Sequence, residues 1–150
     1  MKIQNSEDRI VFDAQKKILG RVASIAAKNL LEGKKVVIIN AGEAVITGRR
    51  NFLIKKYKTR MSLQNKANPE HSPYWSKRPD MLVKRVIRGM LPYRRPRGKV
   101  AYKNLLVFTE VPEQFANVKT VEIKGNDIRR MYSNTITVKE LSGLLGYEKS

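Results

Sequence analysis

The chain is 150 residues long and carries a formal net charge of +18, from 31 Lys and Arg against 13 Asp and Glu, with a pI near 10.4. Its length suits one domain, and its 41% hydrophobic content argues against a wholly disordered basic tail. Having no cysteine, it can hold no disulfide, no thiol nucleophile and no cysteine-based zinc site.

The stretch Met1 to Arg9 lacks the apolar run of a signal peptide, and no run in the chain approaches the ~20 apolar residues of a membrane span. A soluble cytoplasmic protein is expected. Ile10 to Asp13 reads as a first strand, followed by a polar turn at Ala14 to Lys17. From Leu19 to Leu31 the period changes: Val22, Ala26 and Leu30 recur every four residues with Ala23 and Ala27 beside them. That spacing predicts an amphipathic helix, rich in alanine so that it can lie close against a sheet, capped by Gly33. Val36 to Ile39 is a run of four β-branched residues without alternation, the pattern of a strand buried on both faces of a parallel sheet. Strand, helix and strand make a right-handed βαβ unit the economical topology. Asn40 to Glu43 turns the chain, and Ala44 to Thr47 suits a short edge strand.

After Gly48 a helix is expected over Arg49 to Tyr57, then an extended loop from Thr59 to Lys77. Five of the six prolines fall between Pro69 and Pro96, which stiffens this region. Pro79 suits a helix first turn with Asp80 near its positive end; Leu82, Val83, Val86, Ile87 and Met90 form its apolar stripe, and Gly89 and Pro92 end it. A short helix or turn at Val100 to Asn104 precedes a strand at Leu105 to Phe108. Pro112 to Asn117 is a connection, and Val118 to Lys124 suits a further strand or extended arm. Thr137 caps a terminal helix, Val138 to Leu145, stopped by Gly146.

Catalysis finds little support in these residues. His71, the single histidine, lies in the polar loop with no nucleophile or acid motif beside it. Neither a GxGxxG fingerprint nor a GxxxxGK[ST] loop follows the first strand, and Gly42 and Gly48 are too isolated to cradle a pyrophosphate. Asp13 sits where α/β enzymes keep functional acids, but reads better as a turn or cap residue.

The charge is concentrated instead. Arg49 to Lys103 holds 17 Lys and Arg against only Glu70 and Asp80, a net of +15, whereas residues 1–48 carry +3 and residues 104–150 carry 0. Cations packed so closely repel one another unless an anion lies against them, and a polyphosphate backbone is the commonest such partner. Tyr57, Tyr74, Trp75, Tyr93 and Tyr102 are interleaved with these cations. Each can stack on an unpaired base or simply pack against its own chain. The helix beginning at Asp80 is short, without Trp or Phe on its apolar face, which disfavours a membrane-surface role. No helix-turn-helix, zinc finger or basic zipper is present, and a stiff, loop-rich cationic surface suits folded RNA better than duplex DNA.

Three stretches carry a resemblance. They are Arg88 to Pro92 (RGMLP) with Gly98, Lys99 and Leu105 to Phe108 (LLVF); Phe12 to Ser24 (FDAQKKILGRVAS); and Val36 to Gly48 (VVIINAGEAVITG). In this order they resemble the large-ribosomal-subunit protein thirteen family over roughly residues 10–112. The spacer Arg94 to Arg97 and the residues beyond Asn117 look like its archaeal and eukaryotic branch. Glu110 departs from the pattern, standing where a small turn residue ahead of Pro112 is expected. The resemblance implies a three-layer α/β/α fold with a mainly parallel four-stranded sheet. It also implies binding to large-subunit ribosomal RNA, a role in subunit assembly and no enzymatic activity. Neighbouring large-subunit proteins are expected as further partners, and no cofactor, metal or small-molecule substrate is expected.

One domain over residues 1–150 is therefore expected, with a core at about 9–117, a basic block at 49–103 and a C-terminal extension at 118–150. Arg49, Arg50, Lys55, Lys56 and Arg60 are expected to meet phosphates beside the sheet. Lys77, Arg78, Lys84, Arg88, Arg94, Arg95, Arg97 and Lys99 are expected to face RNA around the long basic loop. A free-standing RNA-binding translational regulator or RNA chaperone is the alternative, and a nucleotide-using enzyme is a third class that these residues argue against.

Overall fold

The computed structural model describes residues 9–121, 123 and 134–148. Three short strands form a parallel sheet in the order β1 (Arg9–Asp13), β2 (Lys35–Ile39), β4 (Leu105–Val107). The register pairs Val11 with Val37 and Phe12 with Ile38, then Val36 with Leu105 and Ile38 with Val107. Between β1 and β2 runs α1 (Leu19–Leu31), so the chain opens with the expected β–α–β unit.

Alternation along the strands divides the sheet into two packed faces. Phe12, Val36, Ile38, Leu105 and Val107 point into the main core, against Val22, Ala26 and Leu30 of α1 and Val83 and Ile87 of α3 (Pro79–Met90). Val11, Val37 and Ile39 point the other way and are covered by Phe115, with Phe108 and Val118 beside it. The central strand β2 is thus buried on both sides, which is why its sequence shows no polar alternation. The alanines at 23, 26 and 27 are buried, and their lack of bulk lets α1 pack against α3 and α4 (Pro96–Lys103).

Helix α1 ends in a Schellman turn: Gly33 N–H donates to Leu30 O and Lys34 N–H to Asn29 O, each at 3.1 Å, with Gly33 at φ +88°. That left-handed conformation strains any residue with a Cβ, so the glycine foreseen in the sequence is required by geometry. Asn40 also adopts a left-handed conformation after β2, at φ +54°, and its Nδ2 donates to Asp13 Oδ1 at 2.9 Å. The same carboxylate oxygen accepts from Gln15 N–H at 2.9 Å. Asp13 therefore caps the turn after β1.

The remaining strands depart from expectation. Among the described residues the parallel sheet has three strands, where four were expected. β3 (Val45–Thr47) pairs antiparallel with β5 (Thr135–Thr137), Ile46 opposite Ile136, as a separate two-stranded sheet. After β5 comes α5 (Val138–Leu144), whose N-cap Thr137 accepts from Glu140 N–H at 3.1 Å. Ile136, Val138, Leu141 and Leu145 join the main core cluster, so the C-terminal residues are packed beneath the fold. The arm expected over Val118 to Lys124 lies partly outside the described residues, but Val121 N–H donates to Val11 O on the free edge of β1.

Two helix boundaries also need correcting. Helix α2 (Arg50–Ser62) runs five residues past Tyr57, into what the sequence suggested was loop. It buries only Leu53, with Ile54, Tyr57, Arg60 and Met61 half-buried along the same side. Helix α4 begins at Pro96 instead of Val100, using the proline at a helix first turn where its missing N–H costs nothing. Gly98 of α4 is pressed against the preceding turn. A Cβ added there would stand 2.2 Å from Pro92 O and 2.8 Å from Tyr93 N, closer than any side chain tolerates. Among the described residues no helix is long and apolar enough to cross a membrane.

Candidate nucleic-acid interface

The basic block is built mainly from helices, which corrects the picture of a basic loop. Arg50, Lys55, Lys56 and Arg60 lie on α2 with Arg49 at its N-cap; Lys84 and Arg88 lie on α3; Arg97 and Lys99 lie on α4. The segment between α2 and α3, residues 63–78, contributes Lys66, Lys77 and Arg78 and carries Glu70. It is ordered by its own side chains. Asn65 N–H donates to Ser72 Oγ at 2.9 Å, Asn65 Oδ1 accepts from the N–H groups of Ala67 and Asn68, and Pro69–His71 forms a 3-10 turn. His71 is exposed on that turn.

Trp75 joins the loop to the two helices. The Arg85 guanidinium of α3 lies 3.6 Å from the centroid of its ring, and the Arg60 guanidinium of α2 lies 5.1 Å from it. Tyr57 meets Trp75 edge-on at 6.4 Å between centroids, and Arg60 also sits 5.5 Å from the Tyr57 ring. Arg85 Nη1 donates to Tyr74 O at 2.6 Å. A second group adjoins on α3: Arg88 lies 5.2 Å from the Tyr93 ring, and Tyr93 meets Tyr102 of α4 edge-on at 5.3 Å. Cation–π contacts of this kind contribute about 0.5–2 kcal/mol each, more where water is excluded. They add to the packing of Leu53, Ile54, Tyr57 and Met61 against the core in placing α2.

These contacts shift the ionisation of their members. Burial, then the charges of Arg88 and Arg60, lowers the Arg85 guanidinium below its ordinary value. Burial pushes the Tyr57 and Tyr102 hydroxyls up, opposed by the nearby arginines.

The predicted cations are not equally available. Arg49, Lys55, Lys56, Arg94, Arg95 and Lys99 are exposed, while Arg60, Lys84 and Arg88 are half-buried. Arg50 pairs with Glu140 of α5 at 2.6 Å. Arg78 grips Asp80 with two nitrogens, Nε to Oδ1 at 3.2 Å and Nη2 to Oδ2 at 3.0 Å. Arg97 Nη2 donates to Leu31 O at 3.1 Å, tying α4 to the carboxyl end of α1. Lys77 is exposed and its carbonyl accepts from the buried Ser142 hydroxyl, so its backbone is anchored. The block thus divides into cations that bind their own protein and cations free to meet another molecule.

The aromatic residues divide in the same way. Tyr57, Trp75, Tyr93 and Tyr102 are engaged with arginines or one another, whereas Tyr74 is 84% exposed. Phe52 on α2, which the sequence reading did not single out, is 63% exposed. Arg85 was also missed as a site residue. The available signal was its spacing, three residues before Arg88 and on the flank of the apolar stripe.

A small α/β core holds exposed cations on α2 and α4, and half-buried ones on α3, around a guanidinium–aromatic cluster, an arrangement suited to a polyanion. The sequence model of the ribosomal protein L13 family matches residues 7–114. The chain is 39% identical over 142 residues to "Large ribosomal subunit protein uL13" of Sulfurisphaera tokodaii, covering 94% of this chain and 97% of that protein. It is 41% identical over 138 residues to the protein of the same name from Methanosarcina barkeri, covering 91% and 96%. The Methanococcoides burtonii protein of that name is 39% identical over 137 residues, covering 91% and 96%. The chain belongs to the ribosomal protein L13 family, as its sequence resemblance implied.

Proposed function

We propose that this protein is a structural constituent of the large ribosomal subunit, where it binds ribosomal RNA and supports subunit assembly. The observation that carries this reading is the near end-to-end similarity to relatives named as large-subunit proteins. The concentrated exposed charge is what such a role needs, because neutralising phosphates releases their condensed counterions. Its partners are then large-subunit ribosomal RNA and neighbouring large-subunit proteins, and its place is the ribosome, in the cytoplasm. No enzymatic step, membrane or small-molecule substrate enters this role.

Within the block, Arg49, Lys55, Lys56, Arg94, Arg95 and Lys99 are the first candidates for phosphates, supported by their exposure. Lys77, Lys84, Arg60 and Arg88 follow from the ends and flanks of the cluster. Arg50, Arg78 and Arg97 must share or exchange their protein partners to join them. One domain over residues 1–150, with residues 49–103 as the RNA-binding block, belongs to the same proposal and is supported by a buried cluster running from Phe12 to Leu145. So does the four-stranded, three-layer arrangement of the family, supported by the Val121 hydrogen bond along the edge of β1.

Sedimentation of cell extract through a sucrose gradient tests the role. Co-migration with large subunits is expected, and a wholly ribosome-free pool would favour a free-standing regulator instead. With roughly 8 phosphate contacts, affinity for large-subunit ribosomal RNA should fall about 10³–10⁵-fold between 50 and 200 mM salt. A salt-independent affinity would sink the proposal.

A further inference from the structure

A groove of about 710 Å³ lies beneath the exposed Tyr74, between the end of α2 and the loop that follows it. This volume falls within the ~300–1,000 Å³ of small-ligand sites. Leu63 and Pro73 supply apolar wall; Gln64, Ser72 and Ser76 supply short polar groups; Glu70, Lys77 and Arg78 supply charge. We propose that this groove receives one unpaired nucleotide of the bound RNA, with Tyr74 stacking on the base. The inference rests on the RNA-binding reading above and names a feature of the RNA that it requires.

Three observations point this way. Tyr74 is the one aromatic of the interleaved set that makes no ring contact among those described, and at 84% exposed its ring face is open to a base. Its backbone is nevertheless held, since Tyr74 O accepts from Arg85 Nη1 while Arg85 stacks on the adjacent Trp75. The backbone that carries the ring is therefore anchored, which lowers part of the ordering cost of binding. The charges are also sorted. Asp80 already engages Arg78, so Lys77 is the available cation for the nucleotide's phosphate. Glu70 repels phosphate but accepts hydrogen bonds, which suits an exocyclic amino group on a base edge. A paired helix could fill neither half of this arrangement, because its bases are already stacked and paired.

The test compares two RNA hairpins of equal length, one fully paired and one with a single 2-aminopurine bulge, bound to the full-length protein. The bulged hairpin should bind about 5- to 150-fold more tightly, the range of one base stacked on one aromatic side chain, with its fluorescence quenched. Tyr74→Ala should abolish both the preference and the quenching while leaving affinity for the paired hairpin and its salt slope unchanged; Tyr74→Phe should retain both. Equal affinity of the wild type for the two hairpins would overturn the proposal, as would a preference or quenching that survives in Tyr74→Ala. Failure to bind either hairpin, or large-subunit ribosomal RNA, would instead count against the RNA-binding reading itself.

Discussion

The guanidinium of Arg85 lies 3.6 Å from the centroid of the Trp75 ring, and through this stack the loop after α2 is fastened to α3. Arg60 approaches the same ring from α2, so one indole of the loop meets guanidinium groups from two helices. Trp75→Ala should therefore loosen α2 and residues 63–78 while the sheet stays intact. Hydrogen exchange should show α2 amides losing about 1–2 kcal/mol of protection, with core amides of β2 unchanged. Equal loss in both regions would mean that Trp75 supports the whole core. Because Trp75 is the chain's single tryptophan, its fluorescence reports the stack directly, and Arg85→Ala should shift the emission to longer wavelength.

The arginines at 94, 95 and 97 are close in sequence and differ in what they hold. Arg94 and Arg95 are exposed, whereas Arg97 donates to Leu31 O. Replacing Arg94 and Arg95 together with Ala should reduce the salt slope of ribosomal RNA binding by about 2, with thermal stability unchanged. Arg97→Ala should instead lower stability by about 0.5–1.5 kcal/mol through the lost hydrogen bond. Denaturation and salt titration on the same variants check both, and an unchanged slope in the double variant would remove these two residues from the interface.

Gly98→Ala probes the tight packing of α4 on the preceding turn. The new Cβ would meet Pro92 O at 2.2 Å, so backbone must move. A loss of about 1–3 kcal/mol is expected in urea denaturation, the usual range for overpacking. A variant as stable as the wild type would show that the turn at residues 91–95 yields freely.

Alkaline pH should weaken the fold through two tyrosines. Tyr57 and Tyr102 hold their protons above the ordinary value of 10.0, burial being the first cause in each. A raised folded-state value means that the folded chain binds more protons than the unfolded one in this range. Their contribution is therefore complete below pH 10 and is lost as pH rises through the folded values. Urea midpoints should decline from about pH 10 upward, and Tyr57→Phe should make that decline shallower.

Local signals in the sequence located the elements that rest on local causes. The four-residue spacing of Val22, Ala26 and Leu30 marks α1, Gly33 marks its end, Val36 to Ile39 marks a doubly buried strand, and Thr137 marks the start of α5. Helix α2 was cut short because its last turns hold Lys58, Thr59, Arg60 and Ser62 and bury no apolar residue. Pro96 is a local start signal for α4, but the arginines on both sides of it carry no apolar period to mark a helix there. The pairing of β3 with β5 joins residues about ninety positions apart, and short runs such as Val45–Thr47 do not specify a partner at that distance.

The same limit applied to the site. Composition located the basic block, but which cations are free depends on neighbours brought in by folding: Glu140 beside Arg50, the end of α1 beside Arg97, and Trp75 beside Arg85. The ring contacts of Tyr57, Trp75, Tyr93 and Tyr102 with their own chain likewise arise only in three dimensions.

Burial first, and then the charges of Arg88 and Arg60, lower the ionisation of Arg85. Three guanidinium groups are thus held close together by the aromatic rings between them, so the fold itself bears a like-charge repulsion that any anion laid against the cluster would relieve.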